Sequence, residues 1–216
     1  MPLSKILRLA IPERPIAAIL RIVSRAYDRL RGRFASAVVG WPKSYLGAGS
    51  IVWGTRSIFV DKNISVGRYA WIEAVSRNHG QIFSPVIKIG QGFCASERLH
   101  ISAINRIDIA DNCLLGSCVY ISDHNHGSYK GAEQSHPSEP PIQRKLVSHG
   151  PVVIGSNVWV GDNVVIIGPA RIGNGVVIGA NTVITRDVPD DVMVVGMLAK
   201  IIKRFDRESG RWEDEA

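Results

Sequence analysis

Cysteine, methionine and aromatic residues are all scarce in this chain of 216 residues. It has three cysteines, three methionines and 7% aromatic residues. The cysteines stand at 94, 113 and 118, an odd number in no disulfide or zinc spacing, which predicts reduced thiols in a cytoplasmic protein. No apolar run approaches the length of a membrane-spanning helix and no secretory signal is visible, so the sequence indicates neither a spanning segment nor export.

Negative charge is also scarce at the start of the chain, and this imbalance produces much of the formal net charge of +7. Residues 1–33 contain only two acidic residues, Glu13 and Asp28. The basic residues of the same segment are Lys5, Arg8, Arg14, Arg21, Arg25, Arg29, Arg31 and Arg33. Because the remainder is close to neutral and carries no DNA- or RNA-binding motif, the composition argues against nucleic-acid binding.

A six-residue repeat is what the sequence has in abundance. From 154 to 189 an aliphatic residue recurs at every sixth position, at Ile154, Val160, Ile166, Ile172, Ile178 and Ile184. The fifth place of each unit holds a small or β-branched residue, at Val158, Val164, Ala170, Val176, Thr182 and Val188. A fixed period of this kind predicts a solenoid in which each unit buries its inner side only against its neighbours.

The period of six suits a short strand followed by a corner. The aliphatic residue and the small residue four places later have equal parity and can both point inward. Gly, Asn and Asp cluster where the chain must bend, because they tolerate positive φ or bond their own backbone. Cys113 takes a small inward place in the same pattern, which favours buried packing roles for the cysteines.

Imperfect repeats extend the solenoid towards the N-terminus. Val60, Val66 and Ile72 are six apart, and the spacing of six resumes through Ile89, Ala95, Ile101 and Ile107. A two-residue shift then resets the frame to Ile109, Leu115 and Ile121. We therefore expect an all-β domain over 48–189, with an N-terminal extension over 1–47 and a C-terminal tail over 190–216. We expect one interruption, at 123–150, a polar stretch whose length indicates a functional loop.

The N-terminal extension predicts an amphipathic helix after Pro15, although Pro12 and Pro15 divide the segment. Apolar residues at Ile16, Ile19, Leu20, Val23, Tyr27 and Leu30 follow helical spacing, with Arg21, Arg25 and Arg29 on the opposite face. The favoured interpretation is that the helix packs on the solenoid or a neighbouring subunit and covers open strand edges. The alternative is a peripheral contact with anionic lipid.

The repeats and the segment Tyr120-Ile121-Ser122-Asp123-His124-Asn125-His126-Gly127 together resemble a known family. They are similar to the hexapeptide-repeat acyltransferases, within them to the bacterial O-acetyltransferases of lipopolysaccharide and capsule biosynthesis related to the galactoside and maltose enzymes. The resemblance covers roughly residues 60–205. It implies a left-handed parallel β-helix, an arrangement that departs from the usual right-handed crossover.

The resemblance also implies roles for residues of the loop. The family's general base aligns with His124, with His126 as the fallback, and a histidine of ordinary pKa can accept a proton from a hydroxyl. Asp123 is adjacent, but neighbouring side chains of an extended chain point apart, so we expect it to serve some other group. The alternative for a loop histidine is a solvated or backbone-bonded side chain.

The family's acetyl-CoA site implies a further set of residues in the groove between two subunits. Trp159 would flank the pantetheine arm, with corner packing as its alternative, and the backbone N–H of Asp162 would face the thioester carbonyl. Ala180, Thr185 and Arg186 would lie beside the arm. Lys200 and Lys203 would meet the nucleotide phosphates, with a solvated surface as their alternative.

The sequence departs from the family at two places. Gly196-Met197-Leu198-Ala199-Lys200 stands where relatives read Gly-Val-Pro-Ala-Lys, which changes the path near the nucleotide. Arg98 stands where the galactoside enzymes have a sugar-contacting Asn. The acceptor should therefore differ from theirs, and Arg98 or His100 could contact it.

These implications amount to a homotrimeric, cytoplasmic acetyltransferase that uses acetyl-CoA and needs no metal. The expected acceptor is a sugar hydroxyl in bacterial surface polysaccharide, and amino sugars, serine or antibiotics are the alternatives. A zinc lyase of the carbonic-anhydrase type on the same solenoid is disfavoured, because His124 and His126 are only two residues apart. A scaffold without catalytic activity is also disfavoured, because its loop sequence and its Lys200 and Lys203 would have no reason to match those of the family.

Overall fold

A computed structural model describes residues 15–41, 43–129 and 134–215 of the chain. Residues 1–14 lie outside the described part, and so do 42, 130–133 and 216. The expectations for Lys5, Arg8 and Pro12, and for the centre of the 123–150 loop, therefore lie outside the described residues.

The described chain winds through three parallel sheets, which form the three faces of a prism. Face one contains β1 (Tyr45–Leu46), β4 (Ser65–Val66), β9 (Cys94–Ala95), β12 (Leu114–Leu115), β17 (Trp159–Val160), β20 (Val177–Ile178) and β22 (Val192–Val195). Face two contains β2 (Ile51–Trp53), β5 (Trp71–Ala74), β10 (His100–Ala103), β13 (Tyr120–Ser122), β18 (Val165–Ile167) and β21 (Val183–Ile184). Face three contains β3 (Ile58–Val60), β8 (Val86–Ile89), β11 (Arg106–Ile109), β16 (Val152–Ile154) and β19 (Ala170–Ile172).

The core is a stack of inward-facing residues, as the repeat predicts. Parallel pairing aligns Ile101 with Ile121 and Ile121 with Ile166, so equivalent residues of successive coils lie above one another. All six aliphatic positions between 154 and 184 are buried, and so are the six small positions between 158 and 188. The hexapeptide prediction is confirmed at each of these positions. Their burial depends on stacking, because a single coil could not cover its own inner side.

The corners hold the coils together through close backbone approach. Asn157, Asn163 and Asn181 adopt left-handed φ values of 59°, 57° and 59°. A side chain at Gly161 would begin 2.6 Å from the Ala180 nitrogen of the next coil, which explains why glycine follows the aliphatic residue there.

The expectation of a single interruption was wrong. A second excursion leaves the solenoid after β5, where β6 (Arg77–Asn78) and β7 (Gln81–Ile82) form an antiparallel hairpin. Its turn residues His79 and Gly80 break the six-residue pattern, with φ of 42° and 82°. The Gln81 side chain bonds both the N–H and the carbonyl of Leu146, so this hairpin supports the 123–150 loop.

The 123–150 loop leaves the corner between faces two and three. Its described part contains a short antiparallel pair of β14 (Asn125–His126) and β15 (Leu146–Val147). A 3₁₀ turn over Pro141–Gln143 lies between them in sequence.

The solenoid continues past the expected limit of residue 189. Strand β22 still pairs in parallel with β20, and the chain then turns back into β23 (Lys200–Asp206) and β24 (Arg211–Asp214), an antiparallel hairpin on the edge of face one. The first parallel pair, β1 with β4, likewise begins before residue 48. The expected tail is therefore an extension of face one.

One helix, α1 (Pro15–Val38), covers the opposite end of the stack. It contacts β1 through the side that carries Asp28, Gly32 and Ser36. Asp28 pairs with Arg68, and the buried Ser36 donates to the Ser44 carbonyl. The expectation that the helix covers the end of the solenoid agrees with these contacts.

The apolar stripe of α1 is not the side that packs. Its described members are 59% to 72% exposed: Ile19, Leu20, Val23, Tyr27, Leu30, Phe34 and Val38. Residue 16 also belongs to the stripe by spacing, but its side chain lies outside the described residues. Packing of the stripe on the solenoid of its own chain was therefore a wrong expectation. Among the described residues, no helix combines the length and apolar character needed to cross a bilayer.

The three cysteines differ in whether their side chains point into the core or outward. Cys113 is buried and its thiol lies 3.1 Å from the Gly155 carbonyl oxygen, and burial raises the pKa of this thiol. Cys94 and Cys118 are exposed, which corrects the expectation of a packing role for them.

Candidate functional site

Asp123 is the anchor of the corner at which the loop begins. The residue is fully buried, and its carboxylate accepts hydrogen bonds from three successive backbone N–H groups of the coil below. These donors are Ile104, Asn105 and Arg106, at 3.0, 2.8 and 2.6 Å. Three such bonds satisfy the acceptor capacity of a buried carboxylate and fix its position.

His124 is held directly by this carboxylate. Its Nδ1 lies 3.0 Å from Asp123 Oδ1 and 3.3 Å from the Ser122 hydroxyl oxygen. The expectation that Asp123 and His124 would point apart was wrong, because the chain bends at this corner. A carboxylate can only accept, so Nδ1 carries the proton and Nε2 is left as the basic nitrogen. This is the arrangement required of a general base.

His100 points outward from face two, in the strand that pairs with the one before His124, and the two imidazoles interact electrostatically. Burial lowers the pKa of His100; the Glu73 carboxylate opposes that shift, and the neighbouring His124 adds to it. Glu73 accepts hydrogen bonds from Ser102 at 2.8 Å and from the Trp71 indole at 3.0 Å. The sequence analysis missed Glu73 and Trp71, although both stand at outward positions of the strand that aligns with His100.

The structure distinguishes His126 from His124. His126 is exposed in β14, and its carbonyl oxygen accepts the Tyr129 hydroxyl at 2.6 Å. Its ring has no carboxylate partner among the described residues. Of these two histidines, His124 is therefore the one whose imidazole is oriented by a carboxylate.

The residues expected to bind the cofactor lie elsewhere, on face one and its edges. Trp159 is 54% exposed in the middle of the outer side of face one, so it does not pack in a corner. In the outward register it is followed by Val177 and then Met193, and Met193 pairs with Lys203. Trp159 and Lys203 thus share one outward column.

A β-bulge brings Lys200 and Lys203 to the same side. Residues three apart in a regular strand point to opposite faces. Here the register shifts between Met193 and Val194, so that Lys200 pairs with Val195 and Lys203 with Met193. Val195 and Met193 are both outward residues, and both lysines therefore point outward with them. Lys203 also forms an ion pair with Asp214, whereas Lys200 is exposed.

Asp162 lies at the corner between faces one and two, where its side-chain oxygen accepts the Ser117 N–H of the coil below at 2.6 Å. Bonds of the same kind recur at the corner between faces three and one: Asp111 accepts from Gln91, Asn174 from Ser156 and Asp190 from Asn174. In the next coil Ala180 aligns with Asp162 and offers no side-chain oxygen. Within the described part of the chain, the Asp162 N–H consequently donates no hydrogen bond.

The remaining expected residues are dispersed. Thr185 and Arg186 are exposed after β21, and Arg186 donates to the Ala199 carbonyl at 3.0 Å. Arg98 adopts φ of 60° at the corner between faces one and two, with its guanidinium 6.0 Å from the Tyr69 ring centroid. His100 therefore lies on face two within electrostatic reach of His124, whereas Arg98 lies at the corner with face one.

The two groups of expected residues occupy different edges of one chain. His124 follows face two at its corner with face three, whereas Trp159 and the lysines lie on face one. The whole of face two separates His124 from the Asp162 corner. No group of three or more His, Cys, Asp or Glu side chains among the described residues could hold a metal ion.

A three-sided parallel coil with a carboxylate-held histidine at the base of a loop defines a class of β-helical transferases, and comparison with known proteins agrees. Residues 151–186 match the family model "Bacterial transferase hexapeptide (six repeats)". The galactoside O-acetyltransferase of Escherichia coli (strain K12) is 30% identical over 156 residues, which cover 69% of this chain and 68% of that protein. The chain belongs to the hexapeptide-repeat transferases.

Two further proteins are similar to this chain. WbbJ of Escherichia coli (strain K12), assigned to O-acetyl transfer in lipopolysaccharide biosynthesis, is 41% identical over 129 residues, which cover 59% of this chain and 65% of WbbJ. The match thus spans just under two thirds of WbbJ. The crystal structure of AntD, an N-acyltransferase from Bacillus cereus, superposes with a TM-score of 0.56 at 16% identity, covering 80% of this chain and 88% of that one. This likeness confirms the left-handed parallel β-helix.

Proposed function

We propose that this protein is an O-acetyltransferase that moves an acetyl group from acetyl-CoA to a sugar hydroxyl during synthesis of a bacterial surface polysaccharide. The observation that carries the proposal is the orientation of His124 by a buried, three-fold anchored Asp123. The similarity to WbbJ and to the galactoside O-acetyltransferase supports the choice of acetyl group and of sugar.

His124 Nε2 takes the proton from the acceptor hydroxyl as its oxygen attacks the thioester carbonyl carbon. The carbonyl oxygen becomes negative, and the Asp162 N–H, left without an internal acceptor, stabilises it. The carbon–sulfur bond then breaks, and the coenzyme leaves as a thiolate that takes the proton from His124. A positioned base contributes roughly 10²–10⁴-fold in rate, and positioning of the two reactants contributes more.

The coenzyme lies along face one. The Trp159 ring flanks the pantetheine arm beside Ala180, with Thr185 and Arg186 at the neighbouring edge. The outward lysines, three strands further along the sheet than Trp159, meet the nucleotide phosphates. Lys200 is the stronger phosphate contact of the two, because Lys203 already pairs with Asp214.

The active unit is a homotrimer in which each site is shared. His124 and the coenzyme residues lie on different edges of one chain, so a second copy must bring its face one to the first copy's loop corner. A symmetric closed ring of three places this same contact between every pair of neighbours.

The protein acts in the cytoplasm at the inner face of the membrane, with α1 lying on the lipid surface. The exposed apolar stripe inserts, and the positive charge of Arg21, Arg25, Arg29 and Arg33, on the sides of the helix away from the stripe, attracts it to an anionic leaflet. Burying a large apolar side chain contributes about 1.5–3 kcal/mol, and each basic residue near an anionic leaflet contributes about 1 kcal/mol.

Acetyl transfer is tested with the glycan of a strain that lacks this gene, after removal of O-acetyl groups with mild alkali. Release of coenzyme A thiol and the mass of the glycan report transfer together. His124→Ala should lower kcat by at least ~10²-fold with little change in acetyl-CoA binding, since the base acts on the acceptor.

His149→Ala serves as the matched control, because His149 is an exposed histidine of the same loop. Its turnover should equal that of the unaltered protein. Near-normal turnover in His124→Ala together with collapse in His126→Ala would transfer the role to His126. Labelling of an amino sugar, serine or an antibiotic in place of the glycan would replace the proposed acceptor.

A further inference from the structure

Face two carries a row of aromatic rings on its outer side. The rings belong to Trp53, Trp71, His100 and Tyr120, one from each of four successive coils. Trp71 and His100 are stacked with centroids 4.8 Å apart and an interplanar angle of 7°. Trp53 meets Trp71 edge to face at 5.9 Å, and Tyr120 meets His100 in the same way at 5.0 Å.

The two ends of the aromatic row lie near different parts of the molecule. Trp53 lies in the coil that carries α1, and Tyr120 lies in the strand that ends just before His124. Four coils with a spacing of ~4.8 Å make the row about 15 Å long, which exceeds the length of one monosaccharide.

The outward positions change character at the coil that follows His124. Beyond Tyr120 the same register continues with Val165 and Val183, and beyond Ser122 it continues with Ile167. The aromatic side chains of this register are thus confined to the coils on the N-terminal side of the base. The residues proposed for the coenzyme lie in the coils that follow His124.

Polar groups accompany the rings. The Glu73 carboxylate and the hydroxyls of Ser102 and Ser122 occupy the adjacent outward register. The His100 Nε2 has no hydrogen-bond partner among the described residues, and burial lowers the pKa of this imidazole, which keeps it neutral near pH 7. A sugar presents apolar C–H faces and hydroxyl edges, which suit rings and polar groups in alternation.

We infer that this aromatic row is a binding track for an extended glycan, so that the acceptor is an oligosaccharide several sugars long whose modified residue reaches His124. The inference rests on the proposed function. The carrier end of the glycan points towards α1, which is also the end proposed to touch the membrane. A second copy of the chain fits the track less well, because the centres of protein interfaces are depleted in charged side chains and the Glu73 carboxylate lies directly beside the rings.

Trp53→Ala and Trp71→Ala test the inference, with de-O-acetylated glycan from the deletion strain separated into fractions of one or two sugars and of four or more. Each variant should lower kcat/KM on the long fraction by about tenfold, and leave both the short fraction and the acetyl-CoA KM within about twofold. Trp71→Phe should restore much of the loss, since an aromatic ring remains for stacking, although it is smaller and lacks the indole N–H that donates to Glu73. Phe59→Ala, which removes a ring 55% exposed on face three of the same coil as Trp53, should change nothing.

Equal losses on both fractions, or no loss on either, would overturn the track while leaving acetyl transfer intact. A change in assembly mass of the Trp variants by light scattering would instead make the row a subunit interface, and would overturn it as well. Titration calorimetry with the long fraction and no acetyl-CoA separates the two proposals. Binding that the Trp variants lose supports the track even where the unaltered protein transfers no acetyl group.

Discussion

At the scale of single residues, the small side chain of Ala180 determines whether the Asp162 N–H can act in catalysis. Ala180 stands above Asp162 as Asp162 stands above Ser117, but it offers no side-chain oxygen, and the Asp162 N–H has no acceptor among the described residues. Ala180→Asp would supply the missing acceptor and occupy that N–H. We expect kcat to fall by about 10²–10³-fold, the typical effect of losing one oxyanion donor, while the thermal midpoint stays equal or rises.

Steady-state kinetics and a melting curve of the same preparation check this prediction. Ala180→Val adds bulk without an acceptor, and should raise the acetyl-CoA KM more than it lowers kcat. Equal kcat in Ala180→Asp and the unaltered protein would exclude the Asp162 N–H from the transition state.

The sequence could predict His124 only through its family, because no periodicity marks a catalytic histidine. The Asp123 interaction could not be predicted from spacing, since the bend that turns both side chains together is a property of the corner. The three backbone donors come from residues 17 to 19 positions earlier, a separation that only the winding of the coil brings into contact. Inward positions such as Ile154 and Val158, by contrast, follow directly from the period.

At the scale of elements, the β-bulge between β22 and β23 determines where positive charge lies on face one. Lys200→Glu should raise the acetyl-CoA KM strongly and leave the acceptor KM nearly unchanged, because only the nucleotide end loses its partner. Lys203→Glu should have the smaller effect, since Asp214 already holds Lys203. Added salt should weaken acetyl-CoA binding of the unaltered protein as well.

Lys88→Glu provides the control for this pair. Lys88 is an exposed lysine on the outer side of face three, and its reversal changes the net charge equally. An acetyl-CoA KM that rises as much in this variant would reduce the effect to overall charge.

The helix α1 gives a second prediction for a whole element. Leu30→Glu combined with Phe34→Glu places two charges in the exposed stripe and should abolish sedimentation with anionic liposomes. Transfer to a small soluble glycan should persist, because no residue of α1 belongs to the proposed site. Ile82→Glu, an equally exposed apolar residue in the β6–β7 hairpin, should sediment normally.

A loss of assembly mass in the Leu30/Phe34 variant would assign the stripe to a neighbouring subunit. The sequence correctly indicated an amphipathic helix, but it could not show which side would pack. The helix contacts the first coil through Gly32, where a side chain would begin 2.2 Å from the Tyr45 ring, and small residues of this kind carry no hydrophobic signal.

At the scale of the whole molecule, a shared site predicts that two inactive chains can restore each other. His124→Ala lacks the base and Ala180→Asp lacks the oxyanion donor, but a mixed trimer contains sites with both groups intact. Random assembly of equal amounts should recover roughly a quarter of the unaltered activity. Light scattering should give about three chain masses for every preparation.

Mixing the two folded variants without unfolding and reassembly provides the control. It should recover no activity, because subunits are not redistributed between folded trimers during the assay. Absence of recovery in mixed trimers of verified mass would place a complete site within one chain. A stable and active monomer would contradict both the assembly and the shared site.

The side-chain hydrogen bonds at the corners also determine the order in which the coils can be completed during synthesis. Each acceptor oxygen follows the N–H that it receives by 16 to 45 residues in the chain. During translation a coil therefore emerges with its corner donors unfilled, and it is completed only when the next coil leaves the ribosome. We therefore expect maturation to proceed from α1 towards the C-terminal hairpin, with Lys200 and Lys203 the last part of the proposed site to form.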